Sequence, residues 1–178
     1  MSDGYLSIIL GCMYSGKTSE IIQIYKMMKL SNIPTLVINY EEDIRYHDKL
    51  LSTHDKQMID CVKTKELMKL NTELENKQVI IINEGQFFPD LYLFVKEMLR
   101  KSMMVYVCGL DGDYKMEKFG QMLDIIPLCN EVKKLTAICI GCKDGTKAYF
   151  TKRVTNEKEQ KVIGSDNHEP VCRKCYYS

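Results

Sequence analysis

The sequence predicts an α/β fold: a parallel sheet with helices on both faces, followed by a small C-terminal subdomain of different character. Three observations carry that expectation. Short apolar runs alternate with stretches of helical periodicity through the first 138 residues, the pattern of strands joined by covering helices. A glycine-bounded loop separates the first apolar run from the first helix. Helical periodicity stops at Cys139, and a polar segment with two Cys-x-x-Cys pairs runs to the end. An α/β domain is therefore expected over residues 1–138 and a cysteine-bearing subdomain over residues 139–178.

The first strand is the run Tyr5-Leu6-Ser7-Ile8-Ile9-Leu10. It leads into Gly11-Cys12-Met13-Tyr14-Ser15-Gly16-Lys17-Thr18, which fits G-x-x-x-x-G-K-[ST] and makes the sheet phosphate-loop NTPase-like. Glycines let successive backbone N–H groups turn inward around phosphates, and the helix N-terminus adds partial positive charge. Lys17 is placed to neutralise the β- and γ-phosphates of ATP and the Thr18 hydroxyl to ligate Mg²⁺. Ile21, Ile24, Tyr25 and Met28 then repeat at helical spacing, so a helix follows the loop.

Asn32-Ile33-Pro34 breaks that helix, and Thr35-Leu36-Val37-Ile38-Asn39-Tyr40 reads as the second strand. The polar stretch over residues 41–55 holds Asp43, Arg45, His47, His54 and Asp55 just past a strand end. Open α/β sheets place ligands there, although a solvated loop has the same composition. Residues 63–70 have helical composition and spacing. Gln78-Val79-Ile80-Ile81-Ile82 is the third strand and runs into Asn83-Glu84-Gly85-Gln86-Phe87-Phe88-Pro89-Asp90. Pro89 suits the first turn of the next helix, whose apolar face is Leu91, Phe94, Val95, Met98 and Leu99. Met103-Met104-Val105-Tyr106-Val107-Cys108-Gly109 is the fourth strand, with Leu110-Asp111-Gly112-Asp113-Tyr114 at its end, and residues 132–138 form a fifth.

Charge narrows the function. The chain has 25 basic and 24 acidic residues among its 178, well interleaved. No basic stripe suits a nucleic acid. No apolar run approaches the roughly 20 residues of a membrane span, and there is no basic n-region. A cytoplasmic protein is the expectation, with no membrane or nucleic-acid partner.

Two places carry chemistry. Glu84, an acidic residue after four apolar ones at a strand's carboxyl end, can take a proton from a substrate hydroxyl or orient a water for hydrolysis; spacing alone does not separate these. Cys139, Cys142, Cys172 and Cys175 form two knuckles that can gather four thiolates around one structural Zn²⁺. Disulfides or free thiols are the other readings. The gap between the knuckles requires a hairpin or loop. Cys12, Cys61, Cys108 and Cys129 read as small core residues or loop fillers.

These ordered motifs resemble the type II thymidine kinases, the zinc-containing family of cells and, in short forms similar to this chain, of poxviruses. The match includes residues 11–18, Asp43-Ile44-Arg45-Tyr46, Thr53-His54-Asp55, Glu84-Gly85-Gln86-Phe87-Phe88-Pro89-Asp90 and Leu110-Asp111-Gly112. Lys134-Leu135-Thr136-Ala137, Thr151-Lys152-Arg153, Val162-Ile163-Gly164 and Val171-Cys172-Arg173 complete it. The resemblance implies transfer of the γ-phosphoryl group of ATP to the 5′-hydroxyl of thymidine with Mg²⁺. It implies Glu84 as general base, with Lys17 and Arg45 also catalytic. On the nucleoside side it implies Met13, Asp43, Phe87, Leu110, Tyr114 and Phe119. Thr151, Gln160, Lys161, Val162, Ile163, Gly164 and His168 belong to the same side. In that family a lasso between the zinc knuckles folds over the base. The assemblies are homotetramers or dimers, and thymidine triphosphate is a common feedback inhibitor. An ATP-switched nucleic-acid-binding regulator and a plain ATPase are the alternatives.

Three departures stand out. Asn83 replaces the usual Asp, removing a charge beside Mg²⁺. Tyr114 replaces a Phe and adds a hydroxyl that needs a partner. The lasso, residues 164–172, is one residue short, and His168 falls where a Tyr is expected, either taking over its contact or standing in solvent.

Overall fold

The computed structural model describes residues 3–43, 50–52, 58–162 and 167–178. In chain order, β1 (Tyr5–Gly11) leads to α1 (Lys17–Leu30), β2 (Thr35–Tyr40), the short hairpin β3 (Leu50–Ser52) and β4 (Met58–Asp60), and then β5 (Val62–Thr64). β6 (Val79–Ile82), α2 (Leu91–Arg100), β7 (Met104–Gly109) and β8 (Glu131–Leu135) follow. The chain closes with β9 (Ala137–Ile138), β10 (Lys147–Ala148), β11 (Phe150–Arg153), β12 (His168–Val171) and α3 (Arg173–Tyr177).

Six strands form one parallel sheet in the order β5-β2-β6-β7-β1-β8. The run Val79-Ile80-Ile81-Ile82 is apolar throughout because it is buried on both faces. Ile80 and Ile82 pack with Leu91, Phe94 and Val95 of α2, whereas Val79 and Ile81 pack with Ile21 and Ile22 of α1. Helices thus cover opposite faces, and both cores rest on the pleat of single strands. The carboxyl ends of β1, β2, β6 and β7 lie side by side, so the loops after them share one edge.

Three sequence expectations shift. Residues 63–70 form no α-helix: Val62–Thr64 pairs with β2 as the sixth strand, and only Leu67–Lys69 makes a single 3-10 turn. Leu67 and Leu70 are both buried, so one turn already satisfies the apolar spacing. The fifth-strand expectation over residues 132–138 divides at Thr136, because Ala137–Ile138 pairs antiparallel with β10 instead of continuing along β1. Pro89 stands just outside α2, whose N-cap is Asp90.

The C-terminal segment has its own cluster of buried side chains, Ala137, Cys139, Ala148, Val171 and Cys172. One residue of the phosphate-loop motif, Cys12, belongs to it. β11 and β12 are an antiparallel pair with Thr151 opposite Pro170 and Arg153 opposite His168, which is the hairpin the spacing of the knuckles requires.

Candidate active site

β1 ends at Gly11 and α1 begins at Lys17, so residues 12–16 turn between a buried strand and a helix N-terminus. Gly16, the residue before the helix, is left-handed with φ 86°. Lys17 Nζ donates to the Cys12 carbonyl at 2.7 Å, arching its side chain over the loop. The loop's far side is tied down: Cys12 Sγ donates to the Ala148 carbonyl at 3.5 Å, and the Met13 N–H donates to Thr151 Oγ1 at 3.0 Å. Burial pushes the Cys12 thiol up, which suits a packing residue and not a nucleophile. Ser15 Oγ is buried with no hydrogen-bond partner among the described residues. A buried hydroxyl beside helical N–H groups and an ammonium suits phosphate oxygens.

Glu84 stands two residues past the end of β6 and is the N-cap of the 3-10 turn Gly85–Phe87, with φ 55° and ψ 43°. A non-glycine residue in that region costs about 1 kcal/mol or more, and such strain collects at working sites. Two residues on, Gln86 is buried; its Nε2 donates to Glu84 Oε2 at 2.5 Å and its Oε1 accepts the Leu110 N–H at 3.0 Å. The preceding residue faces the other way. Asn83 Nδ2 donates to Asn39 Oδ1 at 2.9 Å, and Asn83 Oδ1 accepts from the Cys108 thiol at 3.0 Å. Asn39 Nδ2 continues the chain to Asp43 Oδ2 at 3.3 Å. All four residues are buried, so this is a polar relay across the ends of β7, β6 and β2. Both ends of the Asn83 carboxamide are thereby engaged within the protein.

An aromatic wall stands beside Glu84. Phe87 meets Tyr40 at 5.2 Å and Phe119 edge-to-face at 5.5 Å. Lys161 lies over Tyr40 and Phe87, donates to Tyr40 Oη at 2.8 Å and reaches Glu42 Oε2 at 2.5 Å. Gln160 Nε2 donates to Asp113 Oδ2 at 2.8 Å, while Asp113 Oδ1 accepts the N–H groups of Lys115 and Glu117 and shapes their turn. The Tyr114 hydroxyl has its partner, donating to the Lys158 carbonyl at 3.0 Å, and its ring lies 3.8 Å beneath the Arg153 guanidinium. Arg153 also gathers the carbonyls of Glu157, Glu159 and Gln160. His168 is buried and not in solvent. Its Nε2 accepts from Arg153 Nε at 3.1 Å, which leaves Nδ1 to donate to Asn167 Oδ1 at 2.8 Å.

Val162 is half-buried; Ile163 and Gly164, like Arg45 and Thr53-His54-Asp55, lie outside the described residues. The fold thus brings Glu84, Phe87, Leu110, Phe119, Gln160 and Lys161 to one edge. Thr151 Oγ1 accepts the Met13 N–H of the phosphate loop.

The four sulfurs of Cys139, Cys142, Cys172 and Cys175 lie within 4.8 Å of one another. Cys142 Sγ is 3.7 Å from Cys172 Sγ and 3.5 Å from Cys175 Sγ. Zn–S bonds of about 2.3 Å set tetrahedral sulfurs about 3.8 Å apart, so the set fits zinc. The Cys172 N–H, at 3.2 Å, with those of Cys142 and Gly141, holds Cys139 down to about 6. Cys175, crowded first by the Cys142 thiol, is pushed up to about 12. Thiols that cannot all ionise alone are what a bound cation relieves. A side chain at Gly141 would sit 2.8 Å from Cys175 Sγ, so the knuckle needs glycine there.

The family model described as thymidine kinase matches residues 4–176. The chain belongs to the thymidine kinase family. It is 38% identical to the thymidine kinase of rabbit fibroma virus (strain Kasza), over 99% of this chain and 98% of that one. To the thymidine kinase of myxoma virus (strain Uriarra) it is 39% identical with the same coverage. To the cytosolic thymidine kinase of Bos taurus it is 38% identical over 98% of this chain and 72% of that one.

For a thymidine kinase, several organising residues had no role assigned from the sequence. Gln86 and Arg153 stand inside recognised motifs, but their partners come from the loop after β7 and the strap over residues 154–162. Asn39 read only as a strand residue. Asp113 carried a usable signal, since an Asp that opens a turn often caps its own backbone. Among the described residues no helix is long and apolar enough to cross a membrane.

Proposed function

We propose that this chain catalyses phosphorylation of thymidine by ATP. Membership in the thymidine kinase family carries the reading, and the Glu84 carboxylate, anchored at the mouth of an aromatic wall, supports it. The thymidine 5′-oxygen attacks the γ-phosphorus, the bond to the bridging β,γ-oxygen breaks, and ADP leaves. Glu84 accepts the 5′-hydroxyl proton late, as the new P–O bond forms. Residues 11–18 cradle the phosphates, with Lys17 and the α1 N-terminus facing negative charge. Thr18 would hold Mg²⁺, which supplies neutralisation of phosphate charge when bound. Arg45 adds a further cation in this reading. Phe87, Leu110, Tyr114 and Phe119 form the nucleoside side with Met13 and Asp43, and the strap bearing Gln160, Lys161, Val162 and His168 closes over it. Cys139, Cys142, Cys172 and Cys175 would hold zinc, which would fix the base of that strap.

Residues 1–138 then form the ATP-binding domain and residues 139–178 the strap and metal subdomain. A cytoplasmic homotetramer or homodimer restrained by thymidine triphosphate completes the reading. The test is ADP release with ATP and Mg²⁺, alone and with each deoxynucleoside in turn. Release that requires thymidine is expected. Equal release without any nucleoside would make the chain an ATPase and sink the proposal.

A further inference from the structure

Gln86 joins Glu84 to the loop after β7, two parts of the site that must act together. Its carboxamide orientation is fixed by chemistry. The Leu110 backbone N–H can only donate, so the oxygen, Oε1, must face it at 3.0 Å. The amine, Nε2, is therefore turned to Glu84 Oε2 at 2.5 Å. An amide flip would set oxygen against carboxylate and N–H against N–H, which burial forbids. The residue is 3% exposed, so no water competes for either bond.

The surroundings hold that geometry. A side chain at Gly109 would meet Gln86 Oε1 at 2.4 Å, and one at Gly120 would meet the Gln86 carbonyl at 2.1 Å. Gly120 also has φ 55°, a conformation glycine adopts without strain. The loops bearing Leu110 and Phe119 thus close directly onto Gln86.

We propose that Gln86 is the positioning residue of the reaction, aiming the Glu84 carboxylate and fixing its distance from the loop after β7. The proposal rests on Glu84 as the base. A donor fixed from the protein holds Glu84 Oε2 and restrains rotation of the carboxylate. Loss of the donor removes that restraint, and a misplacement near 1 Å costs about a hundredfold in rate.

The test compares full-length wild type, Gln86→Met, Glu84→Gln and the double variant, by single-turnover phosphorylation of thymidine and by KM. Methionine keeps the volume and removes both polar ends. Gly109→Ala is the second probe, because it keeps Gln86 but drives a methyl against its Oε1. Gln86→Met is expected to lower kcat by about tenfold to a hundredfold, with KM for thymidine within about threefold, and Gly109→Ala is expected to lower kcat and not to raise KM. In the Glu84→Gln background the further loss is expected to shrink below about threefold, since coupled residues are not additive. Wild-type kcat in Gln86→Met and Gly109→Ala, or a loss lying wholly in KM, overturns the proposal. So does an undiminished effect of Gln86→Met in the Glu84→Gln background, which marks a merely structural residue. A Glu84→Gln enzyme at the wild-type rate removes the base itself and the proposal with it. An inactive Glu84→Gln enzyme beside a fully active Gln86→Met removes the proposal alone.

Discussion

A left-handed backbone and the neighbouring Gln86 amide both act on Glu84, and its substitution by glutamine tests chemistry with little change of shape. Glu84→Gln is expected to lower kcat by roughly 10²–10⁴-fold, the range for loss of a general base, while thymidine binding stays within a few-fold. Single-turnover kinetics and calorimetric binding check both halves. Asn83, one residue earlier, behaves differently. From the sequence it stands beside the metal-bound phosphates, whereas the fold spends both ends of its carboxamide on Asn39 and Cys108. Those partners lie 44 and 25 residues away, and no local pattern announces them. Asn83→Asp would set a carboxylate oxygen against Asn39 Oδ1 at a site 2% exposed. Burial raises such a carboxyl's folded pKa, so the loss is small while both states are protonated and grows as pH rises above the unfolded value. A destabilisation of about 1–3 kcal/mol at neutral pH, shrinking in acid, is expected from urea unfolding. Equal stability at pH 7 would show that the relay tolerates charge.

Among elements, the two knuckles and the hairpin between them are most dependent on a ligand. Cys172→Ser is expected to lower bound zinc from about one per chain and to raise KM for thymidine more than KM for ATP. Metal analysis and paired titrations check this; full zinc content in the variant would dismiss the cluster as the site. Acid should release the metal, because protons compete for thiolates. The knuckles were legible in the sequence because ligand spacing is local. So were β1, β6 and β7, whose apolar runs exceed what a half-buried strand carries. β5 was not: Val62-Lys63-Thr64 is three residues long and half-buried throughout, and only β2 beside it makes it a strand. β8 misled for the opposite reason, since the apolar residues at 135–138 serve two different sheets.

At the scale of the molecule, the strap is drawn to the α/β domain by Lys161 and Glu42. Hydrogen bonds from Lys161 and then Lys65 hold Glu42 down to about 2. Its folded value is depressed, so the contact is present above pH 4.5 and lost only as pH falls toward that lower value. Salt and not neutral pH is therefore its lever, because both partners are solvent-facing. KM for thymidine should rise a few-fold as salt is raised, and Lys161→Met should flatten that rise; a salt slope unchanged by the substitution would separate the pair from closure. The joint beneath the phosphate loop has a consequence in time. Cys12 and Met13 bond to Ala148 and Thr151, 136 and 138 residues later. At about 5–20 residues per second a ribosome takes roughly 7 to 28 seconds to supply them. During that interval residues 11–18 of the nascent chain stand without the contacts that close the underside of their loop.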